Sequence, residues 1–280
     1  STGMPTRTQQ SDILCSAYAS HGDTKHVMLI PSDPKECFDF AVEAFDLADR
    51  LQTPVIVLLD LDLGMNDWST AEFEWDDEKS FDRGKVLSKE DLDGIEKFGR
   101  YLDVDGDGIP YRTLPGSGLD PILYRGTGHD EDGTYSEKPE VYHKLMLRLK
   151  RKIEGARDYL PAPIIREEDE LDIGIVYYGS MENTIQEIDD ILEEKTGKKV
   201  STCRVRALPL HSGVREFIEN HKTIVILEIN RDGQLNGIIR KEFPNDLLNR
   251  IHSVAYSDGM PPRAGLYAEK IMEVLKEVGE

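Results

Sequence analysis

The sequence predicts an α/β protein built on a parallel sheet, and three observations predict it. In the last 110 or so residues, short apolar runs alternate four times with amphipathic stretches of helical period. The runs are continuous rather than alternating, as in Thr223–Ile229 (TIVILEI), which is the pattern of strands covered on both faces. The chain has 280 residues and 39% hydrophobic content, enough for real cores in one large or two ordinary domains.

The elements follow in order. Residues 1–23 are polar, hydrogen-bonding or turn-forming, with hardly anything to fill a core. They read as a site loop whose supporting strands lie upstream, so the chain is expected to be the C-terminal part of a larger polypeptide. Ser32-Asp33-Pro34-Lys35-Glu36 starts a helix, with Asp33 as N-cap, Pro34 in the first turn and Glu36 placed for a capping box. The stripe Cys37, Phe38, Ala41, Val42, Phe45 and Ala48 is its expected packing face. Val55–Leu59 is expected as a central parallel strand. Asp60 and Asp62 follow it, at the edge where open α/β sheets bind ligands, but they read first as turn and capping carboxylates.

From about residue 64 to residue 163, Gly, Pro, Asp and Tyr are dense and periodicity is weak, which predicts a long excursion. One basic-tipped helix, Val141–Lys152, interrupts it. Its Lys144, Arg148, Lys150, Arg151 and Lys152 suit an anion or a solvated, salt-bridged face. Pro161-Ala162-Pro163 reads as a linker and Arg166–Glu170 as a charged lead-in. Strands are expected at 172–178, 200–208, 223–229 and 251–256. Helices are expected from Met181 to Leu192 with Gly197 beyond, and at 214–220, 234–240 and 266–278. The expected domains are therefore 1–163 and 164–280.

Charge and cysteines exclude several classes. The net charge is −20, from 54 acids against 34 bases, so no basic face for nucleic acid is expected. The three cysteines, Cys15, Cys37 and Cys203, form no C-x-x-C, so this sequence cannot hold a four-cysteine iron–sulfur cluster or structural zinc alone. Their sparseness suits a reducing cytoplasm. No apolar run approaches the ~20 residues of a membrane span, and no signal-peptide pattern occurs.

Several motifs could carry chemistry. Thr6, Arg7, Thr8, Gln9 and Gln10 present hydroxyls, a guanidinium and amides within five positions, a set that matches a carboxylate. His21 and Asp23 are further candidates for a substrate or cofactor loop. Asp103, Asp105 and Asp107, with Gly108 at position 6, match the start of a calcium loop, although Leu114 stands where the bidentate Glu belongs. A carboxylate-capped turn is the alternative. In Gly126–Gly133, His129, Asp130 and Glu131 could ligate a metal or form an acid–base pair, or serve structure. Tyr178-Gly179-Ser180 ends a strand, but Tyr178 and Glu182 stand where a nucleophile elbow needs glycine. Glu228-Ile229-Asn230 and Gly233-Gln234-Leu235 follow another strand. No strand-to-helix G-x-G-x-x-G occurs, which disfavours a Rossmann dehydrogenase.

Taken together, these motifs resemble one family. Ser1–Ile13, followed by His21-Gly22-Asp23, is similar to a segment of the alpha chain of 2-oxoacid:ferredoxin oxidoreductases. Asp105–Gly116, Gly126–Gly133, the Gly179-Ser180 turn and the E-x-N-x-x-G-Q-L segment at Glu228–Leu235 resemble the same family. The resemblance implies the end of a pyrimidine-binding thiamine domain with its excursion, then a transketolase C-terminal-like domain. It implies a subunit, of the 2-oxoglutarate type, of an enzyme that decarboxylates a 2-oxoacid, reduces ferredoxin and forms an acyl-coenzyme A. Thr6 then lies in the substrate pocket. The family's substrate arginine, its Y-P-I-T-P motif and the thiamine-activating glutamate have no counterpart in these residues. Thiamine diphosphate, its Mg2+ and the iron–sulfur cluster are expected mostly on a partner beta chain. Glu228 and Asn230 are expected to be structural or interchain residues. A non-catalytic scaffold with the thiamine-domain fold, and a calcium-dependent module, stand as alternatives.

Overall fold

The computed structural model describes residues 3–117, 124–170 and 172–279, so Ser1 and Thr2 of the opening motif lie outside the described residues. In chain order the elements are α1 (Ile13–Ala17), β1 (Val27–Leu29), α2 (Pro34–Leu51), β2 (Val55–Val57), α3 (Leu61–Met65), α4 (Lys89–Asp93) and α5 (Pro139–Gly155). After them come β3 (Ile164–Arg166), β4 (Ile173–Tyr178), α6 (Glu182–Thr196), β5 (Ser201–Val205), β6 (Ala207–Leu208) and α7 (Ser212–Asn220). The last are β7 (Thr223–Glu228), α8 (Gln234–Glu242), α9 (Asn245–Leu248), β8 (Ile251–Ala255) and α10 (Ala264–Val278). Two compact units result. One comprises Ser1–Val42, Ile56–Trp75 and Leu160–Glu280, the other Glu43–Val55 and Asp76–Tyr159.

The first unit holds a five-stranded sheet of order β3-β5-β4-β7-β8. The pairs β4–β5, β4–β7 and β7–β8 are parallel, as the strand–helix alternation requires. β4 and β7 are buried at every position, so their continuous apolar runs are explained. Period-two geometry then sorts the side chains. Ile173, Ile175, Tyr177, Val225 and Leu227 face α6 and α10, while Val176, Tyr178, Ile224 and Ile226 face α7 and α8. Each fully buried aliphatic side chain contributes about 1.5–3 kcal/mol, against about 0–1 kcal/mol for a surface ion pair, so these two layers dominate stability. Gly197 ends α6 in the left-handed conformation at φ 71°.

The structure corrects several expectations. β2 is not a central strand; it is the half-buried edge of a three-stranded sheet ordered β2-β1-β6. The strand expected over 200–208 breaks at Arg206. Its first part stays in the large sheet, and its last two residues pair antiparallel with β1, Met28 opposite Leu208. The lead-in after the linker carries an additional strand, β3, antiparallel to β5. The packing face of α2 is also rotated. Glu36, Phe40, Leu47 and Leu51 are buried and Phe45 is 80% exposed, because the inward face must bring Glu36 to two arginines of the sheet.

The helix start at Asp33 forms as expected, with Asp33 Oδ1 accepting from Glu36 N at 2.8 Å. The capping box does not close on Asp33. Glu36 instead accepts from Ser32 N at 2.9 Å and from Ser32 Oγ at 3.1 Å. It also pairs with Arg204 at 2.6 Å and Arg206 at 2.9 Å.

The second unit holds the C-terminal part of α2, then α4, α5 and a 3-10 turn at Ala156–Tyr159. Polar pairs tie its loops, including Arg112–Asp49 at 3.0 Å and Gln52 Nε2 donating to Pro110 O at 2.6 Å. α5 runs beyond the expected span at both ends, with Pro139 at its first position, where a missing N–H costs nothing. No described helix is long and apolar enough to cross a membrane.

Candidate functional site

The opening loop is exposed from Gly3 to Arg7 and then turns inward at Thr8, which is 4% exposed, and Gln10, at 7%. Ile13 is fully buried on the same core face as Val176 and Tyr178, so the block does anchor a core after all. Thr6 has φ 53°, a left-handed backbone that non-glycine residues rarely adopt, and its hydroxyl donates to Pro5 O at 2.8 Å. Beneath the loop, Gly259 has φ 78°, a backbone that favours glycine, and a Cβ there would stand 3.3 Å from Arg7 Cβ.

Gln10 is the centre of a buried network. Its backbone N–H donates to Ile229 O at 2.8 Å, and its Oε1 accepts from Ile229 N at 3.3 Å, so the loop is stitched to the end of β7. Its Nε2 donates to Asp60 Oδ2 at 2.9 Å and to Tyr178 O at 3.3 Å. Its carbonyl accepts from Tyr178 Oη at 3.2 Å and from Asn230 Nδ2 at 3.2 Å. Next along the loop, Gln234 Nε2 donates to Ser11 O at 2.6 Å, and its Oε1 accepts from Leu14 N at 2.9 Å. Gly179 sits against Gln10, where a Cβ would lie 2.9 Å from Nε2.

Asp60 takes the capping role and also joins the network. Oδ1 caps α3 by accepting from the N–H groups of Asp62 and Leu63, while Oδ2 accepts from Gln10 and from Ser180 Oγ at 2.7 Å. Burial and then the Asp60 charge push Asp62 above the usual carboxylate range, and Asn66 Nδ2 donates to it at 2.5 Å.

Glu228 is fully buried at the N-terminus of α8. Its carboxylate accepts from Leu235 N at 2.7 Å, Asn236 N at 3.0 Å and Asn230 Nδ2 at 2.8 Å, so helix donors and dipole offset its desolvation. Asn230 Oδ1 accepts from Gly233 N at 2.8 Å and Gln234 N at 3.3 Å. Burial, and then the Glu228 charge, hold the Tyr178 hydroxyl well above its ordinary value, so it is a proton donor throughout. Three motifs separate in sequence, Gln9-Gln10, Tyr178-Gly179-Ser180 and Glu228–Leu235, therefore form one clamp on the loop that carries Thr6. Ser180 serves here as a hydrogen-bond donor and not as a nucleophile.

The other candidates fall outside this cluster. His21 and Asp23 are exposed, with His21 Nδ1 3.3 Å from Ser20 Oγ. In the second unit, Lys85 Nζ lies 2.6 Å from Asp105 and 2.8 Å from Asp107, and it donates to Ile109 O at 3.0 Å. Asp103 pairs with Arg151 at 2.8 Å and accepts from Gly106 N and Gly108 N. Among the described residues no group of three or more His, Cys, Asp or Glu side chains is arranged to hold a metal ion. The expected calcium loop is thus a lysine-neutralised turn, because side chains supply the cationic charge. Arg148 and Lys152 are buried rather than solvated. His129 is buried against Tyr101, and Asp130 caps its own turn by accepting from Asp132 N and Thr134 N.

The sequence reading missed the buried Glu36–Arg204–Arg206 cluster. Its only sequence signal was a pair of arginines inside an otherwise apolar strand.

The opening loop of the site lies within a stretch that matches a known family. Residues 1–97 match the family described as pyruvate flavodoxin/ferredoxin oxidoreductase, thiamine diP-binding. The chain is 33% identical over 86% of its length to 2-oxoacid:ferredoxin oxidoreductase 2, subunit alpha, of Aeropyrum pernix, covering 37% of that protein. It is 28% identical over 99% of its length to the 2-oxoglutarate synthase subunit KorA of Archaeoglobus fulgidus, covering 68% of it. The solved 2-oxoglutarate:ferredoxin oxidoreductase from Magnetococcus marinus, with 2-oxoglutarate, coenzyme A and succinyl-CoA bound, superposes with a TM-score of 0.84 at 25% identity. That superposition covers 98% of this chain and 46% of that one. The chain spans less than half the length of the first relatives it matches. By sequence and by fold, the chain is similar to part of the alpha subunits of 2-oxoacid:ferredoxin oxidoreductases.

Proposed function

We propose that this chain supplies part of the alpha subunit of a thiamine-diphosphate-dependent 2-oxoacid:ferredoxin oxidoreductase. The reaction is oxidative decarboxylation of 2-oxoglutarate or a related 2-oxoacid to its acyl-coenzyme A, with reduction of ferredoxin. The observation that carries this reading is the clamp. It holds Thr6 exposed and in a left-handed backbone, within the residues that match the thiamine-domain family. Strain persists where the surroundings over-determine it, and functional loops are where that happens.

In this reading the Thr6 hydroxyl and the Arg7 guanidinium orient the 2-oxoacid, the guanidinium through its carboxylate. Gln10, Tyr178, Asn230 and Gln234 keep the loop from relaxing away from that geometry, which is worth a large part of a rate enhancement. Thiamine diphosphate supplies the electron sink when bound. The exposed hydroxyl and guanidinium suit one wall of such a site. The cleft beside Gln10, Asp60 and Tyr178 measures about 30 Å3, room for about one water. The diphosphate, its Mg2+ and the iron–sulfur cluster are therefore assigned to a beta subunit. Ferredoxin and coenzyme A complete the partners, and a cytoplasmic location suits the three free cysteines. The division into thiamine-domain and transketolase-C-like modules at residues 163/164 belongs to the same proposal.

The test is 2-oxoacid-dependent viologen reduction by the purified assembly with coenzyme A, for wild type, Thr6→Ala and Thr6→Gly. Removing one positioned donor is expected to cost about 10²–10³ in kcat. Thr6→Gly relieves the positive φ and is expected to stabilise by about 1 kcal/mol while remaining as inactive as Thr6→Ala. Full activity in Thr6→Ala overturns the assignment of Thr6. An assembly inert toward every 2-oxoacid favours the scaffold alternative.

A further inference from the structure

The loop that carries Thr6 and Arg7 has a second support, separate from the clamp on Gln10. Between β8 and α10 the chain turns over residues 256–263, with Gly259 buried at the tip. This turn is tied down along its length. Asp258 Oδ1 accepts from Met260 N at 3.0 Å, which closes the turn on itself, and Asp258 Oδ2 pairs with Arg263 at 2.6 Å. Pro261 and Pro262 restrict their own backbone angles, and Pro262 O accepts from Thr184 Oγ1 at 3.3 Å. On the strand side, Tyr256 N donates to Glu228 O at 3.1 Å, and Tyr267 Oη donates to the same carbonyl at 3.2 Å.

The tip of this turn meets the exposed part of the opening loop. A Cβ on Gly259 would stand 2.8 Å from Met4 Sδ and 3.3 Å from Arg7 Cβ. Met4 Sδ lies near the end of a flexible side chain and can swing away. Arg7 Cβ is fixed to the backbone, so it can yield only if the loop moves with it.

The two supports share an origin. The clamp hangs on Ile229, whose carbonyl accepts from Gln10 N at 2.8 Å and whose N–H donates to Gln10 Oε1 at 3.3 Å. The turn hangs on the carbonyl of Glu228, the residue before it. Adjacent peptide groups at the end of β7 therefore fix both the loop segment after Arg7 and the turn beneath it. Arg7 itself is exposed, with a long side chain that loses rotamer freedom when it binds. A guanidinium fork that must meet a carboxylate gains from a root that is already in place.

We propose that Gly259 is a positioning residue for substrate binding. Its missing side chain lets the turn set where Arg7 stands, and so sets the affinity for the 2-oxoacid carboxylate. This rests on the reading of Arg7 as the group that meets that carboxylate. Gly259 then acts through Arg7 on binding, so its loss falls on KM more than on kcat.

Steady-state viologen reduction by the purified assembly tests this, with 2-oxoglutarate varied and coenzyme A saturating. Gly259→Ala is expected to raise KM for 2-oxoglutarate about tenfold and to change kcat by less than about threefold. Gly259→Asn is expected to do the same. Asn tolerates a left-handed backbone better than Ala, so this variant keeps the fold and separates the added side chain from backbone strain. Both are then paired with Arg7→Ala. With Arg7 absent, Gly259→Ala is expected to change KM by less than about twofold, whereas a general loosening of the fold multiplies with the loss of Arg7. Three results overturn the proposal while the site reading stands, each with KM raised in Arg7→Ala: a KM within about twofold of wild type in both Gly259 variants, a Gly259→Ala effect that persists in full without Arg7, or a loss that falls on kcat instead. An inert assembly, or Arg7→Ala with unchanged KM, overturns the site reading and this proposal with it.

Discussion

Asn230→Asp changes one atom type at the centre of the clamp. In the native chain Asn230 Nδ2 stands 2.8 Å from Glu228 Oε2, and both residues are fully buried. The variant places a second carboxylate oxygen at that position and removes the donor that serves Glu228, Gln10 O and Tyr178 Oη. Two carboxylates in such contact have charge centres about 4 Å apart and repel by about 4 kcal/mol at an effective dielectric of about 20, and lost hydrogen bonds add to it. The new carboxyl is therefore raised in the folded state above its unfolded value of about 3.9. A raised carboxyl costs nothing below the unfolded value. Its penalty grows by about 1.4 kcal/mol per pH unit above that value until the folded-state value is passed. Urea unfolding at about pH 5 and about pH 7.5 measures it. Asn230→Asp is expected to lose about 4 kcal/mol at the higher pH and distinctly less at the lower. Asn230→Ala, which adds no charge, is expected to show the same loss at both. Hydrogen exchange at the Gln10 amide, bonded to Ile229 O, is expected to accelerate in both variants. An Asn230→Asp penalty below about 1 kcal/mol, or one independent of pH, refutes the reasoning.

Glu36→Gln is expected to destabilise by about 3 kcal/mol, because it takes the carboxylate from Arg206 and leaves buried Arg204 with Glu182 at 3.3 Å, whereas Asp39→Asn at the exposed Lys35 pair stays within about 0.5 kcal/mol. Burial pushes Glu36 up, but hydrogen bonding and charge from Arg204, then the Arg206 charge, outweigh it and hold the carboxyl below its ordinary 4.5. The wild type therefore loses this stabilisation as pH falls below 4.5 toward the folded-state value, and acid titration of Glu36→Gln is expected to lack that phase. Lys152 gives the opposite signature. It is depressed to about 8 from 10.5, so between these values the unfolded chain binds the proton that the folded one has released. Stability from this group rises across that window by about 3 kcal/mol, and Lys152→Met is expected to flatten the rise in urea midpoints measured at each pH.

Local chemistry wrote much of this molecule into its sequence. The apolar runs that became β4 and β7, the helices that follow them and the stop at Gly197 were legible because burial on both faces and left-handed caps leave local marks. The opening motif marked the family and the loop. The clamp was not legible. Gln10, Tyr178, Asn230 and Gln234 each read as an ordinary polar residue, and their meeting depends on β4 and β7 lying side by side and ending at the same level. The edge position of β2, the break at Arg206 and the inward turn of Glu36 share one cause. A pairing partner or counter-charge that arrives from about 170 residues away leaves no trace in the neighbouring sequence. Asp105 and Asp107 show the same limit, since their spacing fits a cation loop and only the folded chain brings Lys85 between them. The sequence alone determined the main strands and helices of the large sheet, and which proteins they resemble; tertiary structure decided the edge strands and which buried polar atoms satisfy one another, because pairing, hydrogen bonds and ion pairs depend on distance in space and not along the chain.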